Sequence, residues 1–198
     1  SVGQTFGRIA LGFLLALVVG AALGILSYFS RGARLLLSPP MAAVKATPIA
    51  SFVILALVWI SARDLSVFIS FLMALPLIYE SALAGLGGAD PKLLEMAEVF
   101  GLGPGRRARA IYLPAALPYL LSASRGAMGI CWKAGVAAEV IAQPANSIGD
   151  ALYRAKLFLA TDELFAWTVA VVLLSLVLEK LAVKSIGALE RRLTGAAK

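Results

Sequence analysis

Apolar residues gather into five long runs separated by polar or Gly- and Pro-containing stretches. The first runs from about Ile9 to Phe29, and at ~1.5 Å per residue it matches a ~30 Å hydrocarbon core. It is too long for a cleavable signal peptide, and no small-residue cleavage site follows it. The second is roughly Met41 to Ile60, interrupted by Pro48. The third is roughly Leu65 to Leu86 and contains Pro76 and Glu80. The fourth is roughly Leu117 to Ile141 and the fifth roughly Leu164 to Val183. None shows the two-residue alternation of a barrel strand, so helices are the spanning elements. The pattern predicts an all-α, polytopic membrane protein with five transmembrane helices, folded as one domain over 1–198.

The connections differ in character. Ser30 to Pro40 is short and carries Arg31 and Arg34, and Ser61 to Asp64 reads as a tight turn. Gly87 to Pro114 is polar, Gly-rich and basic. Ala142 to Glu163 is polar, with Pro144, Asn146 and Gly149 as breakers. Within it, Ala151 to Leu159 is expected to form a short interfacial helix.

Composition sharpens the picture. Of 198 residues 61% are hydrophobic and 15% charged, with mean hydropathy +0.90. A small core cannot hide that much apolar surface, so the excess faces lipid. The net charge of +7 and pI near 9.9 then reflect basic cytoplasmic loops, not a nucleic-acid partner. There is no His and one Cys, Cys131, which excludes a His/Cys metal site and a Ser-His-Asp triad. Neither a phosphate loop nor a GxGxxG fingerprint is present. No cofactor or metal is expected in this chain, and it has no nucleotide site of that kind.

Charge also sets orientation. Ser30–Pro40, Gly87–Pro114 and the tail after Val183 hold Arg31, Arg34, Lys92, Arg106, Arg107, Arg109, Lys184, Arg191, Arg192 and Lys198. The other side holds Arg8, Arg63, Arg154 and Lys156. The basic side is expected to be cytoplasmic. Five spans then place the N-terminus outside and the C-terminus inside, and an outside N-terminus without Met suggests a span upstream.

The loop Gly87–Pro114 carries the most information. Asp90-Pro91 reads as a helix N-cap followed by Pro at the first helical position. Lys92 to Phe100 has helix-forming composition, with Leu93, Leu94, Ala97 and Phe100 on an apolar face, and Gly101 is placed to stop it. Gly103-Pro104-Gly105 makes a second break, and Arg106 to Tyr112 predicts another short helix before Pro114, at right angles to the first. Such a pair is a docking element, or else it packs on its own membrane domain.

Glu95-Met96-Ala97, Gly101, Ile111 and Leu113-Pro114 have the spacing of the EAA loop, with Met96 in place of the middle Ala. The chain therefore resembles the permease subunits of binding-protein-dependent ABC importers. The resemblance covers nearly the whole chain and is similar in detail to the nitrate/taurine/sulfonate type. It extends through Gly12-Phe13, Gly20, Leu23-Gly24, Pro40, Pro48 and Trp59. It continues with Pro76, Leu83-Ala84-Gly85-Leu86, Asp90, Leu117-Pro118, Trp132 and Ala138-Glu139. Glu80-Ser81 stands where that family usually has Asn-Thr, and Lys133 is absent from many members.

The resemblance implies a type I importer permease fold with six spans in the full subunit, in a prokaryotic plasma (inner) membrane. It implies a second permease subunit, expected to be an identical copy, two ATP-binding subunits that hold ATP and Mg, and an external substrate-binding protein. It implies that the loop at about 87–114 enters the ATP-binding subunit, with Glu95, Met96, Ala97, Gly101, Leu102, Gly103 and Arg106 as coupling residues.

Ionisable groups inside spans are costly and usually functional. On the fourth span Arg125, Gly129, Trp132, Val136 and Glu139 form one stripe, at ~100° per residue. Arg125 and Glu139 lie ~21 Å apart along the axis, so each needs its own partner or water. The stripe either lines a pathway at a dimer axis, or Arg125 and Glu139 mark the helix ends while Trp132 packs. Lys133 lies ~80° around from Arg125 and is expected to be solvated or paired. Glu80 is a pathway or gate residue, or an interfacial carboxylate. Lys45 reads as a snorkelling side chain, and Gly20 and Gly24 as a close helix contact. The sequence thus reads as the non-catalytic, pathway-forming subunit of an ATP-driven importer of a small solute. Its rivals are a secondary transporter or channel without an ATPase partner, and a membrane scaffold.

Overall fold

The computed structural model describes residues 2–195. Lys198 and the side chains of Arg191 and Arg192, counted above on the basic side, lie outside the described part. The described chain runs α1 (Val2–Phe29), α2 (Arg31–Ala46), α3 (Ile49–Ala56), α4 (Ala62–Gly87), α5 (Pro91–Val99) and α6 (Pro104–Arg107). It continues through a π-helical turn (Ala108–Tyr112) into α7 (Leu113–Ala142), α8 (Ile148–Leu157) and α9 (Thr161–Gly195). No strand occurs among these residues. Short polar side chains start the helices by accepting orphan backbone N–H groups. Ser30 caps α2, Ser61 caps α4 and Ser147 caps α8.

The centre of the molecule is α4, which packs along both α1 and α7. Small residues set the α1–α4 approach. A Cβ on Gly24 would lie 2.6 Å from the Ala82 Cβ, and one on Gly20 would lie 3.0 Å from the Ile78 Cβ. The close contact expected at Gly20 and Gly24 is therefore the α1–α4 seam, where missing side chains let backbones meet. A core of Ile9, Phe13, Ala74, Ile78, Ala127, Cys131, Trp132 and Val136 fills the space between α1, α4 and α7. Trp167, Val171, Leu174 and Leu178 of α9 close over it.

Three described helices are long and apolar enough to cross a membrane: α1, α4 and the segment Thr161–Leu181 of α9. The expected second span is not one helix. It comprises α2 and α3, bent by 105° at Thr47-Pro48, and counts as a fourth span only if the bent pair is taken as one. Pro48 has no N–H, its ring clashes with the preceding turn, and it drives Thr47 to extended geometry (φ −84°, ψ 131°). The stretch Ser30–Pro40, expected to be a connection, is the cap and first turns of α2, with Pro39 and Pro40 inside the helix. The fourth predicted span is present as α7, 30 residues long. Its polar positions leave it below the other three in hydropathy, so five spans are not what length and composition alone return.

The second short helix of the loop is also different. Arg106–Tyr112 is not a separate element: α6 and the π turn continue straight into α7. Pro114 does not end that run because it lies in the first turn of α7. The Leu113 N–H bonds the Ala108 carbonyl, five residues back. That wider turn relieves the position where proline would crowd a regular helix.

Candidate functional site

The loop helix α5 forms as its sequence dictates. The Asp90 carboxylate accepts from the Lys92 N–H at 2.9 Å, and Pro91 occupies the first turn. At the other end Gly101 takes φ +63°, its N–H bonds the Glu98 carbonyl at 3.0 Å, and the Leu102 N–H bonds the Ala97 carbonyl at 2.9 Å. This pair of bonds is a Schellman cap, which requires a left-handed residue at the Gly101 position.

The helix has two apolar faces. Ala97, fully buried, packs with Ala89 and Ile111, and Leu94, Leu102 and Tyr112 surround them. Leu93, Met96, Val99 and Phe100 point outward, Val99 being 85% and Phe100 75% exposed. The first face holds the helix to its own chain, and the second has no cover among the described residues. Glu95 is exposed beside it, as are Gly103 and Arg106.

A residue outside the expected set joins this loop to the bundle. The Arg107 Nε donates to the Leu102 carbonyl at 2.8 Å, linking the α5 cap to the root of α7. Tyr112 in the π turn stacks edge-on with Tyr28 and Phe29 at the end of α1, with centroids 5.7 and 5.6 Å away. Nothing in the spacing of Arg106, Arg107 and Arg109 distinguishes the one that folds back onto the loop.

The polar stripe of α7 turns inward. Trp132, Val136 and Glu139 are buried in the chain's own core, Arg125 and Gly129 are half-buried, and Lys133 is exposed. Of the two readings the stripe allowed, the packed one describes Trp132, and Glu139 is buried with partners of its own. Apolar side chains of α9 pack on the cluster that holds Trp132 and Val136, and α1 supplies the partners of Glu139. The Thr5 hydroxyl donates to the Glu139 Oε2 at 2.8 Å, and the Arg8 guanidinium lies 3.4 Å from Oε1. Burial of a carboxylate is tolerable only with such partners.

Glu80 takes a different place. The Lys45 Nζ lies 2.9 Å from both of its carboxylate oxygens, bridging the last turn of α2 to α4. Both side chains are about half exposed, at 49% and 47%. They line a cleft of about 390 Å³. Lys45, expected to reach for an interface, is instead the partner of Glu80. The two are 35 residues apart and come together through the fold of α2 along α4.

The all-α bundle, with a loop helix capped, anchored on one face and bare on the other, has the fold of two solved transporter chains. A chain of the inward-facing MetNI methionine ABC transporter superposes with a TM-score of 0.78 over 95% of this chain and 94% of that one, at 16% identity. A chain of an amino acid ABC transporter gives 0.75 over 96% and 91%, at 20% identity.

The model of the binding-protein-dependent transport system inner membrane component family matches residues 9–195, and the chain belongs to that family. It is the membrane subunit of an ABC importer. Among its relatives is SsuC of Bacillus subtilis (strain 168), named for transport of aliphatic sulfonates. The two are 31% identical over 96% of this chain and 70% of that protein. The taurine transport system permease protein TauC of Escherichia coli (strain K12) is 29% identical over 94% and 66%. The bicarbonate transport system permease protein CmpB of Synechococcus elongatus is 28% identical over 75% and 54%. The chain spans about two thirds of the length of the first two relatives and about half of the third.

Proposed function

We propose that this subunit, paired with a second permease subunit of the same kind, forms the pathway of an ATP-driven importer for a small oxyanion. The names of relatives, which specify sulfonates, taurine and bicarbonate, support this substrate class. An external binding protein delivers the solute, and ATP with its Mg is bound and hydrolysed by a partner subunit.

The observation that carries this reading is the bare apolar face of α5. A helix end exposing Leu93, Met96, Val99 and Phe100 marks an interaction surface. We assign it to the ATP-binding subunit and the end bearing α5 to the cytoplasm, with the C-terminus on the same side. Met96 inserts and Glu95 meets a polar or basic group of the partner. Ala97 and Leu102 anchor the helix, Gly101 lets the chain turn, and Gly103 and Arg106 flank the contact. Movement of α5 passes to α7 through the Arg107 bond to Leu102 and the packing of Ala97 on Ile111.

Glu80 and Lys133, whose side chains are exposed on this chain, are the pathway candidates this arrangement supports best, with Arg125 and Gly129 beside them. Trp132, Val136 and Glu139 act as its supporting wall. Co-expression with an ATP-binding subunit tests the assignment. The two are expected to co-purify in detergent, and Val99→Asp is expected to release the partner while the permease still inserts. Uptake into proteoliposomes by the permease alone, without ATP, would instead identify a secondary transporter.

A further inference from the structure

The cleft between α2 and α4 holds more cationic than anionic side chains. Arg34 and Lys45 both line it, against the single carboxylate of Glu80. The two cations are 11 residues apart on α2, which returns to nearly the same face and separates them by ~16 Å along the axis. Ser38 lies between them, and Tyr79 and Leu83 of α4 form the opposite wall.

The Lys45–Glu80 pair has the properties of a seat and its occupant. One ammonium meets both oxygens of one carboxylate, each at 2.9 Å. A sulfonate, carboxylate or bicarbonate presents the same motif: two or three oxygens on a single centre, carrying one negative charge. Because both side chains are about half exposed, the pair is weak, and an arriving anion can displace Glu80 without leaving a buried charge alone. A fully buried pair would not exchange.

We propose that Lys45 is an exchangeable oxyanion site, in which the transported anion replaces the Glu80 carboxylate and Arg34 adds attraction from the same cleft. Glu80 then acts as a built-in competitor. It keeps Lys45 positioned when the cleft is empty and keeps the anion from being held too firmly to leave, as conduction demands. The site lies where the chain turns by 105° between α2 and α3, so a change at that bend moves Lys45 relative to Glu80. This inference rests on the oxyanion-importer reading above.

The test is equilibrium binding to the permease–ATPase complex in nanodiscs. Methanesulfonate is the probe, choline the cationic control, and saturation-transfer NMR the readout. The intact complex is expected to bind methanesulfonate weakly and choline not at all. Glu80→Gln, which removes the competitor, is expected to tighten methanesulfonate binding about fivefold, the strength of an exposed ion pair. Lys45→Gln is expected to abolish binding and Lys45→Arg to retain it, which separates loss of charge from loss of fold. Unchanged or weaker binding in Glu80→Gln overturns the proposal, as does Lys45→Gln that binds like the unmodified protein. Retained ATP-binding subunit and ATP hydrolysis are measured in the same samples. If these stay normal while binding fails to respond, only the anion site is wrong. If they are absent, the importer reading fails first.

Discussion

Thr5 and Glu139, 134 residues apart in sequence, share a 2.8 Å hydrogen bond in the buried centre of one end of the bundle. The Thr5 hydroxyl also accepts from the Ile148 N–H at 3.2 Å. One small side chain on α1 thus holds a carboxylate of α7 and the first turn of α8. Thr5→Val keeps the shape and removes both bonds, leaving a buried carboxylate and a buried N–H poorly satisfied. The expected loss is about 1–3 kcal/mol. It is read as a lower melting temperature of the purified complex, with the ATP-binding subunit still retained before melting.

Gly149 sits where α8 crosses the backbone of α7. A Cβ there would fall on the carbonyl carbon of Glu139 and the amide nitrogen of Val140. Gly149→Ala is expected to push α8 away and destabilise the protein by about 1–3 kcal/mol, the usual range for overpacking. Gly129 on α7 has no atom within 4 Å of such a Cβ, so Gly129→Ala is expected to melt normally. Equal melting temperatures for the two variants would mean that α8 does not approach α7 this closely.

Gly101 ends α5 at φ +63°. Gly101→Ala is expected to strain the cap by ~1–2 kcal/mol, fray α5 and weaken retention of the ATP-binding subunit. Gly103, with φ −64° and open space around its Cα, should accept Ala without effect. Pull-down of the ATP-binding subunit with each variant checks this. Because α5 contributes little to the core of the bundle, membrane insertion should be the same for both.

Arg107 is expected to matter for coupling more than its exposed neighbours. Arg107→Ala removes the 2.8 Å bond to the Leu102 carbonyl while leaving the bare face of α5 intact. The predicted outcome is a complex that still assembles and hydrolyses ATP but imports less per ATP. Arg106→Ala, on an exposed side chain, is the comparison. An Arg107→Ala complex with unchanged import per ATP would remove this residue from the transmission route.

Subunit pairing is best probed with cysteines on the outward face of α7. In a Cys131→Ala background, Gly126→Cys and Ala137→Cys are expected to cross-link if α7 faces a second copy, since both positions are exposed. Val136→Cys, buried against α9 and α1, should not. Cross-linking at Val136 but not at Ala137 would mean that α7 is rotated relative to this description.

Much of this protein was legible from local chemistry. The long apolar runs predict α1, α4 and the first part of α9, because a helix in lipid needs little beyond length and hydropathy, while α7 is legible by its length despite its polar positions. Asp90-Pro91 and Gly101 mark both ends of α5, since capping is settled within a few residues. Gly20 and Gly24 announce a close helix contact for the same local reason. The π turn was not legible, nor was the unbroken run through Pro114, because both depend on how α7 is held beneath α5. The polar stripe shows the limit most clearly. Period alone puts Trp132, Val136 and Glu139 on one face of α7, and it cannot say what that face meets. Only the tertiary structure turns it toward α1, α8 and α9 and gives Glu139 to Thr5 and Arg8. The same holds for Lys45 and Glu80: each is readable as a costly charge near a span, but their pairing is decided by where α2 comes to rest along α4. A residue's type determines that it needs a partner; chain folding over tens of residues determines which one it gets.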